Sequence, residues 1–251
     1  MPAKKTPAEP LPIGEEITTI RPLPSDPSMR SVRVGRRVIA RLRASDVESI
    51  GLRAGEILTD ELAGAIEAVL AVNNARKDAL RLLGRRGYSS GQLVDRLKRK
   101  GHDESASRAV VDELLADNWL DDEEFARAVA REIRARGPAS TRLIIQKLRQ
   151  RRIEGDLARR VAEEALADVD PVEEAIALAE TRLRTMGRVP PATAARRLSG
   201  ALARRGFDMD TIRTALERVK IADDEPPEAL PESPPEAPPN APADADPDTI
   251  S

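Results

Sequence analysis

Residues 118–128, NWLDDEEFARA, place four consecutive carboxylates between the only Trp of the chain and one of its two Phe. Carboxylate oxygens are the ligands that Mg²⁺ and Ca²⁺ prefer, so this run is the first candidate for a metal site or a metal-dependent catalytic site. Successive residues of an α-helix point about 100° apart, however, so helical acids at positions 121–124 do not converge on one ion. The alternating acids and central Gly of a calcium-binding loop are also absent from this stretch.

The same four acids have the spacing of a helix start. Asp121 is a suitable N-cap, and Glu124, at the third helical position, completes a capping box. Leu120 and Phe125 have the spacing of a hydrophobic staple, and negative charges in a first turn are stabilised by the helix macrodipole. The stretch therefore predicts the beginning of a helix in preference to a metal site.

Other groups that could perform catalysis are few. His102 is the only His, and it lies in a predicted loop, KGHDES, with no nearby Ser elbow or Cys. The chain has no Cys at all, which excludes thiolate zinc sites, disulfides and Cys nucleophiles. It also has no Gly-Lys-Ser/Thr phosphate-binding loop. We therefore predict a protein that is not an enzyme, with no cofactor and no metal.

Basic side chains are concentrated at the ends of three predicted helices. They are Arg96, Lys98, Arg99 and Lys100; then Lys147, Arg149, Arg151 and Arg152; and finally Arg204 and Arg205. Cations stabilise the C-terminal end of any helix, which accounts for each cluster without a ligand. Recurrence of the cluster in successive helices equally fits a salt-sensitive contact surface for phosphates or for an acidic protein groove.

The basic helix ends recur because the sequence itself repeats. DRLKRKGH, IQKLRQRRI and GALARRGF align on Leu97, Leu148 and Leu202, and each Leu is followed by apolar residues 13 and 17 positions later. An amphipathic stretch precedes each of these segments and is separated from it by a Gly-containing break. The repeat of about 50 residues predicts three tandem three-helix modules in an elongated, curved array.

The flanks of the repeat have a different composition. Branched residues surround Gly35 within residues 32–39, which is typical of a β-hairpin. Residues 222–251 carry nine acids, no Lys or Arg and many Pro, so burial cannot offset their ordering entropy. We therefore predict an all-α fold with a small β-hairpin-containing N-terminal segment and a disordered acidic tail. The expected units are a disordered N-terminus at 1–16, the N-terminal segment at 17–74, modules at 75–119, 120–166 and 167–221, and the tail at 222–251.

Charge and hydropathy restrict the class of protein further. Outside residues 222–251 the chain has 41 basic and 34 acidic groups, so a body with a net charge of +7 is joined to an acidic tail. No stretch approaches the ~18 apolar residues of a membrane span, and the first sixteen residues lack the apolar run of a signal peptide. We expect a cytoplasmic monomer that does not enter a membrane.

Taken together, these segments resemble the RecX family of bacterial regulators of the RecA recombinase. The resemblance extends from about residue 17 to residue 219 and depends on ALRLLGRRGYSSGQLVDRLKRKG, on NWLDDEEFARA and on the break at Gly137 followed by IIQKLRQRRI. The segments ITTIRPLP, VRVGRRVIARL and GLRAGEILTDEL are similar to the leading segment of the family. One departure is Arg152, which stands where the other modules have Gly101 and Gly206, and it leads us to expect a differently formed loop.

The resemblance implies a regulator that binds the RecA–DNA filament and inhibits the recombinase and co-protease activities of RecA in DNA repair and the SOS response. Weak, salt-sensitive and non-specific DNA binding is part of that expectation, and the basic helix ends are its candidate contacts. Two other hypotheses stay open at this point. One is a general helical DNA-binding protein that does not distinguish RecA filaments, and the other is a metal-dependent nuclease using Asp121 and Asp122.

Overall fold

A computed structural model describes residues 10–219 of the chain. The predictions made for residues 1–9 and for the acidic tail lie outside the described residues. Within the described part there are ten α-helices and one antiparallel sheet of three strands, β1-β2-β3, in chain order. The largely helical fold with a small N-terminal β element is confirmed. No helix between residues 10 and 219 is long and apolar enough to cross a membrane.

The N-terminal unit is a small sheet with one apolar face. Its elements are β1 (Ile17–Leu23), β2 (Asp26–Val34), β3 (Arg37–Arg43) and the short helix α1 (Ala44–Ser49). The predicted hairpin is β2–β3, whose turn contains Gly35 with φ 55°, and β1 extends it to three strands. Residues 10–13 lie next to this core, since Leu11 packs against it, and Gly14 donates its N–H to the Leu58 carbonyl at 2.9 Å.

The long helix α2 (Asp60–Leu83) joins the N-terminal unit to the first module. Thr59 caps it by accepting the Leu62 N–H, and Ala63 and Ile66 on its first half are buried in the N-terminal core. Ala75 and Ala79 on its second half are buried in the next core. The expected boundary between residues 74 and 75 therefore lies within one continuous helix.

Three helical cores follow along the chain. The first is formed by the end of α2 with α3 (Ser90–Arg99) and α4 (Glu104–Ala116), and the second by α5 (Asp122–Ala135), α6 (Thr141–Gln150) and α7 (Gly155–Glu164). The third is formed by α8 (Pro171–Thr185), α9 (Pro191–Arg204) and α10 (Met209–Arg218). The repeat leucines at 97, 148 and 202 have no exposed surface, and each lies in the core of its own module.

Candidate functional site

The four carboxylates of residues 121–124 have four different partners. Asp121 is the N-cap of α5 and accepts the Glu124 N–H at 2.8 Å, as predicted. The Glu124 carboxylate is directed to Arg131, at 2.7 Å, so only the Asp121 half of the expected capping box is formed. Glu123 binds both guanidinium NH groups of Arg160 on α7, at 3.0 and 2.9 Å.

Asp122 has a role that local sequence did not predict. Its carboxylate accepts the backbone N–H of Ser90 at 2.7 Å and also the hydroxyl of Ser90. Ser90 is the first residue of α3 in the preceding module, so Asp122 supplies an acceptor to the exposed amide end of a helix other than its own. The four acidic residues thus connect the first and second modules in addition to forming the start of α5.

The predicted staple is also divided between modules. Leu120 is buried in the core of the first module, whereas Phe125 packs against the core of the second. With the exposed Trp119, both residues line a mainly apolar groove of 550 Å³. Arg86 and Asp121 are the only charged residues that line it, and Arg86 stacks 4.5 Å from the centroid of the Tyr88 ring. The groove contains no nucleophile with an adjacent base.

Neither metal binding nor His chemistry finds a geometry in the described residues. Between residues 10 and 219 there is no group of three or more His, Asp or Glu side chains placed to hold one ion. His102 is almost fully buried, and its Nε2 lies 2.9 Å from the Asp78 carboxylate on α2. Burial alone would raise the pKa of Asp78, but the hydrogen bond to His102 and the charge of Lys100 lower it. The pair ties the loop before α4 to α2.

The first and second modules are joined at the start of α3. The Ser89 hydroxyl caps α3 by accepting the Gln92 N–H, and it donates to the Arg151 carbonyl at 2.5 Å. A Cβ placed on Gly91 would come within 2.8 Å of the Arg152 carbonyl oxygen, so the two backbones approach as closely as glycine permits. The Arg152 guanidinium also reaches back to Asp95 on α3, at 2.9 Å.

The second and third modules are joined by the corresponding elements. Ser140 caps α6 and donates its backbone N–H to the Arg205 carbonyl at 3.1 Å. Arg205 in turn donates to the carbonyls of Gly137 and Pro138, each at 2.5 Å. In the first junction the closely approached glycine, Gly91, belongs to the middle helix. In the second it belongs to the turn after the next middle helix, since a Cβ on Gly206 would overlap Ser140. In both junctions the capping Ser of one middle helix meets the turn that follows the middle helix of the next module.

The expectation of a differently formed loop at Arg152 is wrong. Arg152 has φ 60°, in the same left-handed region as Gly101 at 88° and Gly206 at 82°. A side chain in this region costs roughly 1 kcal/mol relative to Gly. The first junction accommodates a side chain at position 152 because the opposing residue, Gly91, has no Cβ. In the second junction the missing Cβ is that of Gly206 itself. Arg152 also gains an ion pair with Asp95.

The predicted contact residues fall into three groups. Arg152 and Arg205 are committed to contacts between modules, and burial together with the charge of Arg182 lowers the pKa of Arg205. Arg96 is half-buried, and Lys98 pairs with Glu104 at 2.6 Å. The remaining members are exposed and form no ion pair within residues 10–219; they are Arg99, Lys100, Lys147, Arg149, Arg151 and Arg204.

The middle helix of the third module begins differently from those of the first two. Its middle helix has Pro190 at the N-cap position and Pro191 at the first helical position, with no side-chain cap. Proline has neither a hydroxyl nor a backbone N–H, so it cannot make the contact that Ser89 or Ser140 makes. The start of α9 therefore lacks the contact that the starts of α3 and α6 make.

A sequence signal for the junctions was present. Ser89 and Ser140 both stand eight residues before the repeat leucine of their module, and each follows a Gly-containing break. The pairing of Asp122 with Ser90 had no comparable signal, because these residues are 32 positions apart. A second basic region was also overlooked: residues 17–43 contain seven Arg and a single carboxylate, Asp26.

Comparison with known proteins agrees with this architecture. Residues 75–114 match the model of the RecX first three-helix domain, and residues 168–216 match that of the RecX third three-helix domain. The chain is 35% identical over 154 residues to the regulatory protein RecX of Corynebacterium efficiens, covering 57% of this chain and 71% of the relative. It is also 35% identical over 163 residues to that of Halorhodospira halophila, covering 64% and 98% of the two chains.

A solved structure is similar in fold. The crystal structure of a regulatory protein RecX superposes with a TM-score of 0.63 at 19% identity, covering 82% of this chain and 98% of the other. At this level of identity the similarity concerns the fold alone. It extends over most of the described residues.

Proposed function

Because the chain belongs to the RecX family of regulatory proteins, we propose that it binds the RecA–DNA filament and restrains the activities of RecA. The observation that carries the proposal is the pair of equivalent junctions, which join consecutive modules through the same elements. In both junctions the turn after one middle helix, α6 or α9, lies against the start of the preceding middle helix, α3 or α6. A repeated set of basic helix ends is suited to a partner that is itself periodic, such as a filament.

Of the ten basic residues predicted as contacts, those that are exposed and form no ion pair within residues 10–219 give the strongest support to this proposal. Arg99, Lys100, Lys147, Arg149 and Arg204 extend to solvent at the ends of the three middle helices without an ion pair in the described part of the chain. Surface cations without an intramolecular acid have little desolvation to overcome and are available for phosphates or for acidic side chains of a partner. Binding through them weakens as salt rises.

The proposed mode of action is binding without catalysis. The candidate catalytic groups are occupied by structural contacts: Asp121 caps α5, Asp122 binds the start of α3, and His102 pairs with Asp78. A cytoplasmic monomer that follows the filament would inhibit recombination and the co-protease function of RecA by obstructing filament growth or subunit turnover.

The decisive assay is ATP hydrolysis by the cognate RecA on single-stranded DNA, titrated with the full chain at low salt. We expect hydrolysis to fall at stoichiometric or lower amounts of the protein, because one elongated molecule contacts several filament subunits. Undiminished hydrolysis at a molar excess would refute the proposal. Stronger binding to the RecA filament than to bare DNA separates it from the alternative of a general DNA-binding protein.

The contact residues can be tested by charge reversal. Lys98→Glu with Arg99→Glu alters the first module, and Arg149→Glu with Arg151→Glu alters the second. A matched control is Arg196→Glu with Arg197→Glu, an exposed pair on α9 outside the predicted set. We expect the first two variants to bind the filament more weakly than the control, with circular dichroism unchanged. Equal binding by all three would remove the helix ends from the proposed contact.

A further inference from the structure

A second cationic surface lies on the N-terminal sheet and shares no residue with the basic helix ends. Val32, Ala40 and Leu42 face the core, so the alternate residues of the three strands form the outer face. Cross-strand pairing places Arg21, Ser31 and Arg41 in one row of that face and Thr19, Arg33 and Val38 in the next. The outer face thus has Arg33 on its central strand and one further Arg on each flanking strand.

These three arginines lie close together and have no acidic neighbour on the sheet. Diagonal cross-strand neighbours are about 7–8 Å apart, so Arg33 lies within reach of both Arg21 and Arg41. All three are exposed, and none forms an ion pair within residues 10–219. Asp26, the only carboxylate in residues 17–43, is at the far end of β2, where Ser28 donates to it at 3.0 Å through its N–H.

The arrangement is unfavourable for an isolated sheet. Like charges on neighbouring strands repel, and a Thr or Val at these positions would satisfy strand propensity without that repulsion. Two other arginines of the sheet have internal partners, because Arg30 donates to the Pro27 carbonyl and Arg43 lies 3.8 Å from Glu113. The outer three are therefore distinguished from the rest by having no such partner in the described residues.

We propose that this face, with Arg21, Arg33 and Arg41 as its anchors, binds the phosphodiester backbone of DNA. The proposal rests on the proposed function, which places the protein beside DNA. Guanidinium groups bind phosphate oxygens in a bidentate manner, and the hydroxyls of Thr19 and Ser31 supply neutral donors between them. No aromatic side chain lies on this face, so it has no platform for base stacking and contacts the backbone without sequence preference.

The test measures binding of the full chain to a fluorescein-labelled single-stranded oligonucleotide by anisotropy, without RecA, between 50 and 200 mM salt. Each phosphate contact on a single strand contributes about 0.7 to the slope of log K against log salt. Arg21→Thr, Arg33→Thr and Arg41→Thr together should therefore lower the magnitude of the slope by about 2 and weaken binding roughly 100-fold at 0.1 M salt. Arg33→Thr alone should lower the slope by about 0.7.

The control variant is Arg108→Gln with Arg159→Gln and Arg213→Gln, which removes the same net charge from exposed helix positions. Each of these arginines is paired with an acid on its own helix. We expect the control to bind DNA with the slope and affinity of the unaltered chain. An unaltered slope in the sheet variants, or an equal loss in the control, overturns the proposal.

Two further arms separate the explanations. If the sheet substitutions weaken DNA binding only in a chain ending at Ala222, the acidic tail and not DNA occupies the face in the full chain, and the proposal is overturned. ATP hydrolysis by RecA is followed in parallel. If the sheet arginines are needed for DNA binding but the protein does not inhibit RecA, the proposed function is contradicted and the proposal for the sheet stands. If the protein inhibits RecA but binds DNA equally well without these arginines, only the proposal for the sheet is contradicted.

Discussion

Close packing at the junction between the second and third modules can be tested by adding one methyl group at position 206. Gly206→Ala places a Cβ against Ser140 and within 2.9 Å of the Leu143 backbone nitrogen. The backbone there has φ 82°, so Ala is strained as well. Gly101→Ala is a matched control, because Gly101 occupies the corresponding turn of the first module, has φ 88° and faces open space.

The two variants share one destabilising effect and differ in the other. A left-handed Ala costs roughly 1 kcal/mol in either turn, whereas forcing a methyl group into a packed contact costs about 1–3 kcal/mol more. We therefore expect urea unfolding to show a loss of about 1 kcal/mol for Gly101→Ala and about 2–4 kcal/mol for Gly206→Ala. Part of the larger loss can appear as opening of the junction while each module remains folded.

Hydrogen exchange distinguishes opening of the junction from general destabilisation. The Ser140 N–H is protected by its bond to the Arg205 carbonyl, which belongs to the next module. An added opening free energy of 1–3 kcal/mol corresponds to about 5- to 150-fold faster exchange of this amide, without a matching change for core amides of α6. Equal losses of stability in the two variants, together with unchanged Ser140 exchange, would contradict the packing at this junction.

Two other predictions follow from contacts in the structure, and a third follows from the charge of residues 223–251. Hydrogen bonds from Lys98 and Arg108 lower the pKa of Glu104 to about 2, so its contribution to stability is complete above the unfolded-state value of 4.5 and is lost as the pH falls toward 2. Lys98→Gln should raise the midpoint of the Glu104 titration followed by carboxyl NMR, and an unmoved midpoint would contradict the ion pair. Asp122→Ala removes the acceptor of an amide at a helix start and should cost about 1–2 kcal/mol in urea unfolding, against little change for the exposed Asp112→Ala. A chain ending at Ala222 should bind the filament more tightly at low salt because nine acids are removed; anisotropy that is equal for both chains at every salt concentration would exclude competition by the tail.

Helix starts could be predicted because they depend on neighbouring residues. The Asp121 cap and the buried repeat leucines follow from spacing within single helices. The expected boundary between residues 74 and 75 falls inside α2, because Asn is only slightly unfavourable within a helix and tertiary contacts outweigh that cost. The Asn73 side chain donates to Asp46 at 3.0 Å, so the N-terminal unit helps to hold α2 continuous across this position.

The basic helix ends show the limit of local inference. Composition identifies Arg204 and Arg205 as neighbouring cations of the same kind, yet the structure leaves Arg204 exposed and commits Arg205 to backbone carbonyls 67 and 68 residues away. The distinction depends on which side of the helix end meets the preceding module. That orientation follows from packing between modules and has no signature in local hydropathy.

The sequence by itself determined the number of modules, the starts of their helices and the sign of the exposed charge, because periodicity, capping and composition act over one or two helical turns. Only the tertiary structure decided which cations form no ion pair within residues 10–219 and that Asp122 accepts a hydrogen bond from a helix of another module. It also decided where the glycine of each junction lies: in the middle helix, as Gly91, in the first junction and in the turn, as Gly206, in the second. These contacts join residues 32 to 68 positions apart, and their energies depend on close approach of two backbones. The space between two closely packed backbones depends on both segments, so it cannot be inferred from the sequence of either segment alone.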